Sequence, residues 1–225
     1  MKRAKVLAAV VGSVAMLGLA LSPIPALADP VLDFDVPGLQ PKTAHINYAG
    51  GSAPLVGSGI VVDALVGLDT PLNAGVELPC IGCTLNFTTG ANIGGWNWGG
   101  GGSITITGTV DGAIGTTLMD GSFDAANVTA FGTSFKIAGA AFTDTKDSNI
   151  AAFYGLPPQG PFSGNFGLTF FARGLPEGHS FFSSRVTSGD VTNTTVPEPA
   201  SLLLLGAGLA GIGLSQWKRR KDGQA

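Results

Sequence analysis

The sequence predicts an all-β exported domain, an antiparallel β-sandwich of jelly-roll type or a barrel, set between an N-terminal signal-peptide helix and a single C-terminal transmembrane helix. Three observations predict it. Apolar and polar residues alternate at period two through the middle of the chain. Glycine, proline and asparagine interrupt that alternation at intervals suited to short antiparallel strands. Both ends are apolar runs flanked by basic residues, a different material from the middle.

At the N-terminus, Lys2, Arg3 and Lys5 precede the apolar run from Val6 to Leu21. Ser22, Pro23 and Pro25 then break the helix, and Ala26-Leu27-Ala28 supplies the small residues that a signal peptidase reads. Residues 1–28 are therefore expected to be a signal peptide that engages the Sec export machinery and is cut after Ala28. A permanent anchor fits less well, because the apolar run is short and lacks a stop-transfer flank.

Residues 29–190 are expected to form the exported β-rich domain. Ala44, Ile46 and Tyr48 alternate with Thr43, His45 and Asn47, and Cys83, Leu85 and Phe87 with Thr84, Asn86 and Thr88. Ile104, Ile106 and Val110 share a face, as do Phe135 with Ile137, and Phe162 with Phe166, Leu168 and Phe170. Turns are expected at Gly50-Gly51, Pro71, Asp111-Gly112, Asp120-Gly121 and between Pro157 and Pro161. The one helix expected in the domain is Ser148 to Tyr154, capped by Asp147 or Ser148, with Ile150, Phe153 and Tyr154 packed beneath it. Residues 191–196, threonine-rich and without apolar periodicity, read as a spacer.

Between Asp29 and Val196 stand five basic residues against thirteen acidic ones, an excess hidden in the whole-chain charge of −3 by the basic ends. Such a surface repels nucleic acid, which recruits lysine and arginine to displace counterions. Charged residues make up only 12% of the chain, so serine, threonine, asparagine and glycine must carry much of the solvation. Cys80 and Cys83 are the only cysteines, and export lets them pair as a local disulfide. A redox site would need the pair at a helix N-terminus after a strand, and zinc would need about four ligands where His45 and His179 are the only histidines.

Motifs for catalysis are not found. Val56-Gly57-Ser58-Gly59 fails the serine-hydrolase pattern at its first glycine, Asp69-Thr70 is followed by Pro71, and Gly99 to Gly102 lacks the ending of a phosphate loop. The expectation is a protein that is not an enzyme and needs no cofactor or metal. A carboxylate pair among Asp33, Asp35, Asp111 and Asp124 stays open, and with it a polysaccharide-active enzyme as a further alternative. Asp120 to Asp124 and Asp144 to Asp147 offer oxygens but match no calcium loop, and read as solvated turns. In the glycine-rich segment around Trp96-Asn97-Trp98, the two indoles would project to one side of a strand. They either cover the core or form a platform that stacks on sugar rings with Asn97 hydrogen-bonding, which would make the domain a carbohydrate-binding module.

The C-terminal segment 197–221 opens with Pro197-Glu198-Pro199, continues through the uncharged residues 200–217, and ends in Lys218-Arg219-Arg220-Lys221. Eighteen helical residues would reach roughly 27 Å, enough for a thin bilayer core. The basic cluster would stay cytoplasmic as a stop-transfer signal. This order of motif, apolar helix and basic end resembles the PEP-CTERM sorting signal of bacterial exported proteins, over about the last 30 residues only. The resemblance implies processing by an exosortase near Pro197 to Pro199, after transient anchoring in the cytoplasmic membrane. It further implies delivery to the cell surface or extracellular matrix, with a structural or adhesive role in an exopolysaccharide or biofilm matrix.

Overall fold

The computed structural model describes residues 28–38, 40–111, 115–158, 160–172 and 176–196. The expected signal peptide up to Leu27 and the expected transmembrane helix 200–217 lie outside the described residues. Among those described, no helix is long and apolar enough to cross a membrane. The elements are β1 (Val31–Val36), β2 (His45–Tyr48), β3 (Leu55–Val61), β4 (Ala64–Leu68), β5 (Glu77–Thr89), β6 (Asn92–Gly94) and β7 (Asn97–Trp98). They continue with β8 (Gly101–Val110), β9 (Thr117–Phe131), β10 (Ser134–Lys146), α1 (Ser148–Tyr154), β11 (Phe162–Phe171), β12 (Phe181–Ser183) and β13 (Val186–Thr195).

Every strand pairing is antiparallel, and the hydrogen bonding closes on itself. β5 pairs with β8, β8 with β9, β9 with β10, β10 with β11, β11 with β13, β13 with β1, β1 with β4, and β4 returns to β5. Closure leaves those strands no open edge along which another chain could pair. β3 and β4 are one strand broken at Val62 and Asp63, and both pair with β5; β2 and β12 extend the sheet beyond β3.

The period-two alternation decides which side chains fill the interior. Along β11, Phe162, Gly164, Phe166, Leu168 and Phe170 are buried while Ser163 and Asn165 are exposed. Rings from different strands meet there: Phe87 lies 5.2 Å from Phe166 and 5.9 Å from Phe123, and Phe123 6.0 Å from Phe142, between centroids. Glycine makes room for these rings, since a Cβ on Gly57 would fall 2.0 Å from the Phe87 ring.

The register places the start and the finish of the domain at one end. Val31 is opposite both Thr194 and Leu68, and Thr195 is opposite Phe162. α1 packs at this end. Its cap is the expected one, with Asp147 Oδ1 accepting from the backbone N–H of Asn149 at 2.8 Å and of Ile150 at 3.3 Å, and Gly155 closing it in the left-handed conformation. Ile150, Ala151 and Tyr154 are fully buried, and the Tyr154 hydroxyl reaches the carbonyl oxygens of Val76 at 2.8 Å and Leu65 at 3.2 Å.

Three sequence readings are corrected. Residues 191–195 are not a spacer but the second half of β13, flanked by β1 and β11 with Val191 and Asn193 pointing inward. Threonine is a good strand residue, and an inward asparagine hides the apolar period. Asp120-Gly121 is no turn, because both lie inside β9, where the backbone of β10 passes so close that a Cβ on Gly121 would sit 2.4 Å from the Thr143 carbonyl. Asp144 and Lys146 are no solvated turn either, but inward residues of β10.

Candidate functional site

The segment singled out for its tryptophans folds as a hairpin, β6 to β7, that pairs with β9 through Asn97 opposite Asn127 and Trp98 opposite Ala126. Trp96 is 3% exposed and Trp98 1% exposed. Each indole N–H is satisfied by a backbone carbonyl, Trp96 by His179 at 3.1 Å and Trp98 by Ala53 at 3.1 Å. Trp98 meets Tyr48 edge-on at 5.0 Å, and Trp96, Phe135, Phe170 and Phe181 complete the cluster. Asn97 is tied down by Asn127 at 2.7 Å and by the Gly94 carbonyl at 3.0 Å. The indoles are thus core, and this arrangement corrects the sugar-stacking alternative: with both faces covered there is no platform for a ring to stack on.

Cys80 and Cys83 form a disulfide with their Cα atoms 5.6 Å apart. It sits where β5 slips register against both neighbours, between the stretch paired with β4 and the stretch paired with β3. The bridge clips this bulge, with Gly82 in the left-handed conformation at its apex.

Of the four aspartates considered as a carboxylate pair, Asp33 and Asp35 share β1, whereas Asp111 follows β8 and Asp124 is an exposed residue of β9. Asp35 is directly opposite Asp190 on β13, an arrangement of like charges that costs stability. Asp33 Oδ1 is buried with no partner. Burial, then Asp190, then Asp35, push the Asp33 carboxyl up from 3.8 to about 6. An acid whose folded value is raised binds its proton more tightly folded than unfolded. Its contribution is therefore greatest below about 4 and is lost as the pH rises through about 6. Asp33→Asn is accordingly expected to stabilise the domain more at pH 7 than at pH 4 in paired urea unfolding curves; an equal gain at both would contradict the shift.

The feature that sequence reasoning missed is a polar cluster inside the closed sheet. Asp144 (4% exposed), Lys146 (7%) and Asn193 (1%) converge there. One carboxylate oxygen of Asp144 is bonded by Lys146 Nζ and the other by the Asn193 amide nitrogen. Lys146 Nζ lies 4.8 Å from the centre of the Phe162 ring. Gly164 and Gly121 leave the necessary space, since a Cβ on Gly164 would meet Asn193 Nδ2 at 2.5 Å and one on Gly121 would meet Asp144 Cβ at 2.6 Å. Asn193 Oδ1 has no hydrogen-bond partner. Burial dominates the titration of both ionisable members, raising Asp144 and lowering Lys146, so each is pushed toward its neutral form despite the attraction between them.

The sorting residues Pro197, Glu198 and Pro199 and the basic cluster Lys218, Arg219, Arg220 and Lys221 lie outside the described residues. The last described residue, Val196, donates its N–H to the Pro161 carbonyl at 3.1 Å, so the sheet runs up to the motif. No curated protein and no solved structure shows significant similarity to the chain. A family model described as the PEP-CTERM protein-sorting motif matches residues 195–220. The tail of this chain is thus a PEP-CTERM protein-sorting motif, and the chain is an exported protein of the kind that exosortase sorts to the cell surface.

Proposed function

We propose that the domain is a non-enzymatic structural or adhesive module, displayed in the extracellular matrix, whose partner is exopolysaccharide. The observation that carries this reading is the polarity of the closed sheet. Val31 and Thr195 lie at one end, next to the sorting tail, whereas the β9–β10 turn and β12 lie at the other. The far end is the one a tail-held domain turns outward, and it exposes Phe131 (66%) and Phe182 (62%). Phe182 stacks on His45 at 5.6 Å, and beside it Arg185 covers Phe171 at 4.9 Å, in an open groove of about 700 Å³. Aromatic faces with a neighbouring guanidinium and hydroxyls suit the flat apolar faces and hydroxyl edges of sugar rings.

The test is co-sedimentation of the protein with exopolysaccharide from the producing cells, comparing the native chain with Phe182→Ala and Arg185→Ala. A loss of binding of about tenfold, equivalent to about 1.4 kcal/mol, is expected for either. Native protein that stays in the supernatant, or variants that bind unchanged, would overturn the reading.

A further inference from the structure

We propose that the Lys146 side chain is joined to that of Asn193 by an intramolecular isopeptide bond, formed in the folded domain with Asp144 as the proton-transfer group. The cluster brings together an amine nucleophile, a carboxamide electrophile and a carboxyl group that contacts both, all buried inside the sheet. Burial favours the amine in its nucleophilic form and the carboxyl in its acid form, which are the states the reaction starts from. Held together by three strands, the reacting groups need no encounter in solution. The Asn193 carbonyl oxygen lacks any partner, an unusual omission for a buried amide and one that marks this cluster as more than a satisfied polar network.

The step balances without cofactor or oxidant. Lys146 Nζ adds to Cγ of Asn193 while the Asp144 acid gives its proton to the amide nitrogen and, now a carboxylate, takes one from Nζ. The Cγ–Nδ2 bond then breaks, ammonia leaves, and an amide bond between Nζ and Cγ remains. Asp144 ends as it began. Asn193 lies on β13, the strand that runs into the sorting tail, while Lys146 lies on β10, with β11 between them. The bond would therefore fasten the tail-bearing strand covalently to the sheet. Its existence does not depend on the proposed adhesive role.

The test is peptide mapping of the full-length chain by tandem mass spectrometry after reduction, denaturation and trypsin digestion. The expected product is a branched peptide joining the segments that carry Lys146 and Asn193, lighter by one ammonia (about 17 Da) than their sum and uncut after Lys146. Asp144→Asn, which keeps the shape of the side chain, should give the two linear peptides instead, as should Asn193→Ala. Linear peptides from native chain that unfolds cooperatively would overturn the proposal, and so would a cross-link that persists in folded Asp144→Asn.

Discussion

Trp98→Ala is expected to destabilise the domain by about 4 kcal/mol, the range for emptying a buried aromatic site. The indole is 1% exposed, its N–H is bonded to the Ala53 carbonyl, and its edge contact with Tyr48 links the β6–β7 hairpin to β2. Trp98→Phe keeps most of the volume and loses the hydrogen bond, so it should cost about half as much. Chemical unfolding monitored by circular dichroism measures both. If Trp98→Ala were neutral in stability, the indole would not be the core residue described above.

Gly102→Ala is expected to cost about 3 kcal/mol or more, for two reasons that add. Gly102 has φ +72°, a region that disfavours a side chain, and a Cβ there would fall 1.9 Å from the carbonyl oxygen of Thr88 on the paired strand β5. Backbone cannot step aside as a flexible side chain can. Gly132 is the control: it has φ +66° in the β9–β10 turn, but a Cβ there meets nothing within 4 Å. Gly132→Ala should therefore show the conformational cost alone, about 1 kcal/mol. Equal losses at the two positions would mean that the close approach of β5 and β8 is not what Gly102 serves.

The parts of this fold written into local sequence were legible, and the parts set by distant partners were not. Ser148 to Tyr154 could be read because the cap, the buried face and the closing glycine all fall within nine consecutive residues. The strands from His45, Cys83 and Phe162 onward show their alternation outright. Sandwich and barrel look alike in the sequence because closure depends on β1 pairing with β4 on one side and with β13, at the far end of the domain, on the other, which no local period encodes. Asp144-Thr-Lys-Asp147 has the composition of a turn, and only the arrival of Asn193, 49 residues later, makes it a buried cluster. The same inward asparagine disguised the last strand as a spacer. For the tryptophans, composition allowed either core or platform, and the fold-back of the β6–β7 hairpin decided for core.

The sorting tail is where sequence spoke most clearly, since a motif read by a processing enzyme needs no tertiary partner to be recognised. The sheet adds a constraint: with the Val196 N–H bonded to the Pro161 carbonyl, cleavage at Pro197 to Pro199 would fall within a few residues of the folded domain. The most direct measurement is therefore terminal peptide mapping of the protein recovered from the cell surface. The expected result is a chain that begins at Asp29 and ends close to Pro199, with no peptide from the segment 200–221. Surface protein that still carries Lys218 to Lys221 would contradict it.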